Sequence, residues 1–259
     1  MIRFVLPTRH WDHLQAVRGR NHQRRWLDEE GLLRAGEAFS KVNGITVLHG
    51  SFAGLRYPAE AVQSRHNVPM LLGSYERELH AIMDSVLLDS YDLVVDVGCA
   101  EGYYAVGLAL KGRFPVMAFD ADPRELSLCR TMARLNGVQD RIRFGSWCSA
   151  ETLRNLTEGK RTFVLSDCEG FEPELFAEAT VAALKHSDAL VELHGEAYEP
   201  LLNRFSRTHD VRISMASPRL AEDYPELACL GPEAIRAVSE YRPLQQRWLY
   251  AKSRRVSSL

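Results

Sequence analysis

Two short stretches hold residue types that could take a proton from a weak nucleophile. Asp167, Glu169 and Glu172 fall in Ser166-Asp167-Cys168-Glu169-Gly170-Phe171-Glu172, and Glu192 and His194 in Leu190-Val191-Glu192-Leu193-His194. Carboxylates beside an imidazole can act as a general base toward a hydroxyl, or hold a divalent ion such as Mg²⁺ that makes the hydroxyl more acidic. Asp167, Glu192 and His194 are the catalytic candidates, and His194 is the best single base because a free imidazole titrates near neutrality. A hydrogen-bonded structural histidine is the competing reading, and metal dependence stays open. Glu172 is expected to begin a helix and Glu169 to line a pocket.

A second group suits ligand binding. Leu93-Val94-Val95-Asp96-Val97-Gly98-Cys99-Ala100-Glu101-Gly102-Tyr103 reads as a buried strand that ends in an acid, turns through two glycines and enters a helix. In open α/β sheets ligands bind beyond the carboxyl ends of the strands, where strand order reverses. Gly98 and Gly102 are expected to let the backbone pass close to a ligand, with a purely structural turn as the alternative. A dinucleotide fingerprint would need glycine at Ala100 and Tyr103, so that reading is disfavoured. Asp120, 22 residues beyond Gly98, closes the next strand and is placed to accept both hydroxyls of a ribose. Asp122, before Pro123, is assigned to capping the following helix.

These residues need a scaffold, and the pattern from Tyr91 onward supplies one. Short apolar runs alternate with amphipathic stretches, the signature of βαβ units. The expected strands are Asp92–Val97, Pro115–Asp120, Arg141–Ser146, Thr162–Asp167, Ala189–His194, Val211–Ala216 and Arg247–Lys252, with helices such as Pro123–Leu135 and Pro173–His186 between. Asp28–Ser40 reads as a helix, Gly44–His49 and Gly54–Tyr57 as a short hairpin, and Ser74 as the N-cap of a helix reaching Leu88. Ser217–Pro243, with Tyr224, Leu227, Leu230 and Tyr241, fits an amphipathic helix on the sheet better than a pocket wall. Residues 1–79 thus form a helical and hairpin cap or an oligomer interface, residues 80–253 the main domain, and 254–259 a frayed tail.

The Asp-x-Gly-x-x-x-Gly form of the first loop resembles motif I of class I S-adenosylmethionine-dependent methyltransferases. The resemblance implies a doubly wound, Rossmann-like, mostly parallel sheet of seven strands with the last antiparallel. It also implies S-adenosylmethionine as cofactor and S-adenosylhomocysteine as product. Glu101 or Tyr103 then reaches the methionyl end, and Asp96 holds the loop or the ligand's amino group. Ala121 follows Asp120, and Trp147 and Cys148 fall where such enzymes hold the adenine; a core tryptophan is the equal alternative for Trp147. Tyr75 and Glu76 are further contacts, though a plain surface helix start accounts for Glu76. Asp-x-Glu-Gly-x-Glu at 167–172 and Glu-Leu-His at 192–194 resemble the FkbM methyltransferases, many of them O-methyltransferases of natural products and sugars. That resemblance covers about residues 73–194. It departs at Ser166, where the family often has lysine, which puts the substrate analogy in doubt. No Asn/Asp-Pro-Pro-aromatic motif of base-amino methylation is present.

The expectation is therefore O-methylation of a small-molecule hydroxyl. The alternatives are a catalytically silent S-adenosylmethionine-binding partner or sensor, and an NAD-dependent oxidoreductase. The formal charge of −2 supplies no general field toward nucleic acid or membrane, so neither is expected as a partner, and a homo-oligomer is left open. The basic run Arg18–Arg25 reads as an anion-binding arm or, more simply, as a solvated helix face. Five scattered cysteines without zinc spacing point to free thiols, and with no signal-peptide core the chain is read as cytoplasmic.

Overall fold

The computed structural model describes residues 31–62, 67–194, 198–239 and 246–254; the Arg18–Arg25 run and Tyr241 lie outside them. All seven expected strands form: β1 Leu93–Val97, β2 Val116–Phe119, β3 Ile142–Gly145, β4 Thr162–Ser166, β5 Asp188–Glu192, β6 His209–Met215 and β7 Arg247–Ser253. They make one sheet in the order β3-β2-β1-β4-β5-β7-β6. Pairing is parallel from β3 through β5, and β7 runs antiparallel to both β5 and β6. The chain leaves β1 toward β2 on one side and returns to β4 on the other, so a crevice opens beyond the carboxyl ends of β1 and β4.

The strands read as unbroken apolar runs because both faces of the sheet are covered. Alternate residues serve opposite cores: Val94, Ala118, Leu165 and Leu190 enter one, and Val95, Val97, Val164 and Val191 the other. Helices α1 Leu32–Asn43, α2 Ala59–Val62, α3 Val68–Leu72 and α4 His80–Leu88 precede the sheet. Then α5 Tyr103–Lys111, α6 Pro123–Leu135 and α7 Ala150–Thr157 link the first four strands. Phe39, Phe52, Leu55, Tyr57 and Leu72 from the N-terminal stretch share the first core with β1 and β4. That stretch is a third layer on the sheet rather than a separate body.

Four expectations change. The helix over Pro173–His186 is two short pieces, α8 Glu172–Leu175 and α9 Glu178–Ala183. Between them Phe176 leaves helical geometry (φ −97°, ψ 44°) and is buried against Phe205, with ring centroids 5.4 Å apart. The hairpin is reduced to a single antiparallel bridge, Thr46 to Arg56. Ser74 caps nothing, since its hydroxyl is buried without a partner among the described residues. The described part of the 217–243 insertion, residues 217–239, is not one amphipathic helix on the sheet. Its 3₁₀ turns over Pro225–Glu233 break at Gly231 and Pro232, then give way to α11 Ala234–Val238. It is tied to the N-terminal layer, with Asn43 Nδ2 donating to the Glu226 carbonyl at 3.3 Å and His49 Nε2 2.7 Å from Glu226 Oε1. The last element to place is α10 Tyr198–Phe205, which leads into β6.

Candidate active site

The crevice is built on the loop from β1 to α5. Gly98 has φ of 88°, and a Cβ there would overlap the carbonyl oxygen of Asp167. Gly102 has φ of 106°, and a Cβ would come within 2.7 Å of Cys129 Sγ and 2.8 Å of Val106. Contacts within the chain, with β4's end and with α6, already demand both glycines. A structural turn and the close approach of a ligand make the same demand on these positions, and the contacts within the chain account for the first.

Asp120, just beyond β2, is nearly buried and grips this loop. Its Oδ2 accepts from the Ala100 amide at 2.9 Å and its Oδ1 from the Asp122 amide at 2.8 Å. Ala100 is held at φ of 45°. Asp122 caps α6 as expected, accepting from the Arg124 amide at 2.9 Å.

The first core's side of the loop is acidic and aromatic. Asp96 is wholly buried, and burial pushes its pKa well up, with Asp167 and Asp120 adding to the rise. The Ala105 amide opposes this, yet neither Asp96 oxygen reaches a hydrogen bond of good geometry. Glu101, also buried, accepts from Tyr57 of the N-terminal layer at 3.3 Å. Tyr103 packs edge-on against Phe52 and Tyr75, with centroids at 5.2 and 5.3 Å. Glu76 is not at a surface helix start. It is buried at φ of 45° and accepts from the Tyr104 hydroxyl. On the far side Trp147 is half-buried and packs on Phe171, with centroids 4.8 Å apart. Cys148 lies beside it, buried, its thiol pushed up to about 12 by burial. Ala121 sits between Asp120 and the Asp122 cap.

The acid–imidazole group assembles where the strand ends place it. Asp167 is one residue beyond β4 and His194 two beyond β5, while Glu192 ends β5. His194 Nε2 lies 3.7 Å from Asp167 Oδ1, 3.7 Å from Glu192 Oε2 and 3.9 Å from Glu169 Oε2. Its Nδ1 is 3.0 Å from Oε1 of Glu172, which also accepts from the Cys168 amide at 3.0 Å. Glu172 begins α8 as expected, but it also buttresses the histidine, a role its sequence position did not reveal. Glu169 is held at φ of 56°. Burial lowers the His194 pKa, but Glu172, Asp167 and Glu169 outweigh it, and the net direction is upward.

No family model and no curated protein matches the chain. Solved structures do. A precorrin-6y C5,15-methyltransferase from Geobacter metallireducens is 12% identical over 66% of this chain and 85% of its own, with a TM-score of 0.46. An rRNA methylase from Streptococcus thermophilus is 14% identical over 69% and 97%, with a TM-score of 0.46. The complex of aTrm5 with tRNALeu is 15% identical over 67% and 45%, with a TM-score of 0.37. Because an rRNA methylase and a tRNA complex stand among the matches, the expectation that nucleic acid is excluded as a partner is withdrawn. Among the described residues no helix is long and apolar enough to cross a membrane.

Proposed function

We propose that this chain transfers a methyl group from S-adenosylmethionine to a hydroxyl oxygen of a small molecule, a sugar or natural product, leaving S-adenosylhomocysteine. The observation that carries the reading is the reversal of strand order at β1. It sets the carboxylate of Asp120 on one side of the Gly98 loop and the Asp167–Glu192–His194 group on the other. When bound, S-adenosylmethionine supplies an electrophilic methyl on a positively charged sulfur.

The residues fit such a ligand. It carries a sulfonium and an ammonium, and the loop offers buried carboxylates at Asp96, Glu101 and Asp120, with Asp96 lacking any well-formed partner among the described residues. The loop lacks glycine at Ala100 and Tyr103, where a pyrophosphate would need the backbone to come close, which argues against NAD. Asp120 would take the ribose hydroxyls, Glu101, Tyr103 and Asp96 the methionyl end, and Ala121, Trp147 and Cys148 the adenine. Asp167, Glu192 and His194 would hold the acceptor hydroxyl in line and receive its proton as a group. The resemblance to the FkbM pattern at 167–172 and 192–194 favours oxygen as the acceptor atom. Residues 1–79 would act as a cap on the main domain, residues 80–253. All five cysteines are free, which suits the reducing cytoplasm.

Isothermal titration with S-adenosylhomocysteine and with NAD tests the cofactor. We expect S-adenosylhomocysteine alone to bind, and Asp120→Asn to weaken it by about 10- to 100-fold through loss of charge-assisted hydrogen bonds. Binding of NAD in its place would end the reading. Labelled-methyl transfer to a panel of sugars, hydroxylated natural products and RNA then identifies the acceptor class.

A further inference from the structure

We propose that the amino ends of β2 and β3 form a docking surface for single-stranded nucleic acid, with Arg56, Lys111, Arg113, Arg130 and Arg134 taking its phosphates. The chain as a whole is close to neutral, with 32 basic residues against 34 acidic ones. From Lys111 to Arg143 the balance reverses, to seven basic residues against four acidic. Three of those acids, Asp120, Asp122 and Glu125, are buried, which leaves Asp140 as the one exposed acid of the stretch. The five named cations are all exposed, and none pairs with a carboxylate among the described residues.

Contacts gather these cations at one end of the sheet. Lys111 ends α5 and Arg134 stands in the last turn of α6, the helices that lead into β2 and β3. Arg56 is fixed there too: its amide donates to Asn136 Oδ1 at 2.9 Å and its Nη1 to the Leu135 carbonyl at 3.4 Å. The turn before it runs past Lys111, whose Nζ would lie 3.8 Å from a Cβ on Gly54. Arg141 joins the two strand starts, donating to the carbonyls of Gly112 and Phe114 at 2.8 and 3.2 Å, which brings Arg113 beside β3. Arg130 lies over the Phe144 ring of β3 at 4.3 Å. Cations at helix ends answer the helix dipole, which accounts for Lys111 and Arg134 alone; Arg56, Arg113 and Arg130 end no helix.

Chemistry selects the occupant. Four of the five are arginines, whose guanidinium forks match phosphate oxygens. A protein interface or a membrane surface calls for apolar anchors, and the exposed large apolar side chains, Val42, Leu88, Met215, Leu220 and Ile235, all stand on other elements. A single strand also offers unpaired bases, and the outer face of the Arg130–Phe144 stack can take one. Among the described residues β3 is the edge of the sheet with β2 as its strand partner, so its outward amides can add contacts to phosphate. The surface lies at the opposite end of the strands from the crevice, so the inference neither rests on the methyl-transfer reading nor names the acceptor.

Fluorescence anisotropy of a labelled oligouridylate of about 20 nucleotides, with the full chain titrated in, tests the surface. We expect saturable binding that weakens steeply as KCl rises from about 50 to 200 mM, log affinity falling against log salt with a slope of about −3 to −4. In the triple variant Lys111→Gln/Arg113→Gln/Arg134→Gln the slope should shrink by about 2 and the affinity fall by about tenfold or more. These side chains are exposed and bond to no other element, and thermal melts check that the fold is kept. Arg113→Gln alone, in a turn, should lower the slope by about 0.7 and keeps the test decisive if the triple variant unfolds. Arg207→Gln/Arg254→Gln, exposed cations at the opposite edge of the sheet, should leave binding unchanged. Absence of salt-sensitive binding, an affinity unchanged in the triple variant, a comparable loss in the Arg207/Arg254 variant, or binding to phosphatidylserine vesicles in place of the oligonucleotide would overturn the surface. S-adenosylhomocysteine binding measured on the same preparation reports on methyl transfer separately, so either reading can fail alone.

Discussion

Gly98 shows how closely two strands meet at the site. Its left-handed backbone excludes most side chains, and the Asp167 carbonyl occupies the space a Cβ would take. Gly98→Ala should therefore destabilise the protein by on the order of 2–4 kcal/mol, through strain at a special backbone position added to the steric clash. Urea unfolding checks this, and a midpoint within error of wild type would refute the packing argument. At this scale the chain order was informative about residues within a motif and silent about contacts between loops. Residue type and strand ends were enough to set Asp120 and Asp122 beside the first loop and Asp167, Glu192 and His194 together at neighbouring strand ends. Tyr57 on Glu101, Tyr104 on Glu76 and Glu172 on His194 span 44, 28 and 22 residues, and no local pattern encodes such pairings. Glu76 was misread for the same reason: a charged residue ahead of a helix reads as surface until the layer that buries it is known.

Among the elements, α6 has the clearest local code. Asp122 caps it, Pro123 presets its first turn, and its apolar residues Leu126, Cys129, Met132 and Ala133 are buried. Asp122→Ala should cost about 1 kcal/mol through the lost cap, read as a lower Tm with unchanged cofactor affinity as long as Asp120 keeps its hold on the loop. Undiminished stability would show that the Arg124 amide finds water as readily as the aspartate. The strands were legible because a parallel sheet buried on both faces requires continuous β-branched runs, and few other structures do. The helical pieces after β4 were not. The apolar periodicity of 173–186 continues across Phe176, and tertiary burial of that ring, rather than any turn residue, interrupts the helix.

Over the whole molecule, the described N-terminal layer and one sheet face share a single core, so that layer and the sheet fold together. The sequence reading expected a cap and set the insertion on the sheet; its described residues 217–239 instead pack on α1 and the segment that follows it, a contact between distant stretches that no local pattern encodes. The second core carries a pH-sensitive anchor in His209, the fully buried first residue of β6. Burial pushes its pKa down, while the carbonyls of Ser187 and Leu184, at 3.0 and 3.1 Å, pull it back in part. Above about pH 6.5 the ring is neutral whether the chain is folded or not, and its contribution is complete. As pH falls below that value the unfolded chain takes up the proton first, and the contribution is lost. The stability gap between wild type and His209→Gln should thus narrow from pH 7.5 to pH 5.5 in denaturant melts. A gap that widens would show that the folded ring gains a proton instead.

The placement of β7 between β5 and β6 has a consequence for how the protein is made. Both neighbours leave the ribosome before the strand that separates them, and within the described sheet β6 has no other hydrogen-bonding partner. Until residues 247–253 emerge, β5 and β6 each present a bare row of amides and carbonyls, and each is the nearest available mate for the other. Correct assembly therefore requires that this premature marriage be avoided or undone, so the interval between the emergence of β6 and that of β7 is when the nascent sheet is most exposed to mispairing.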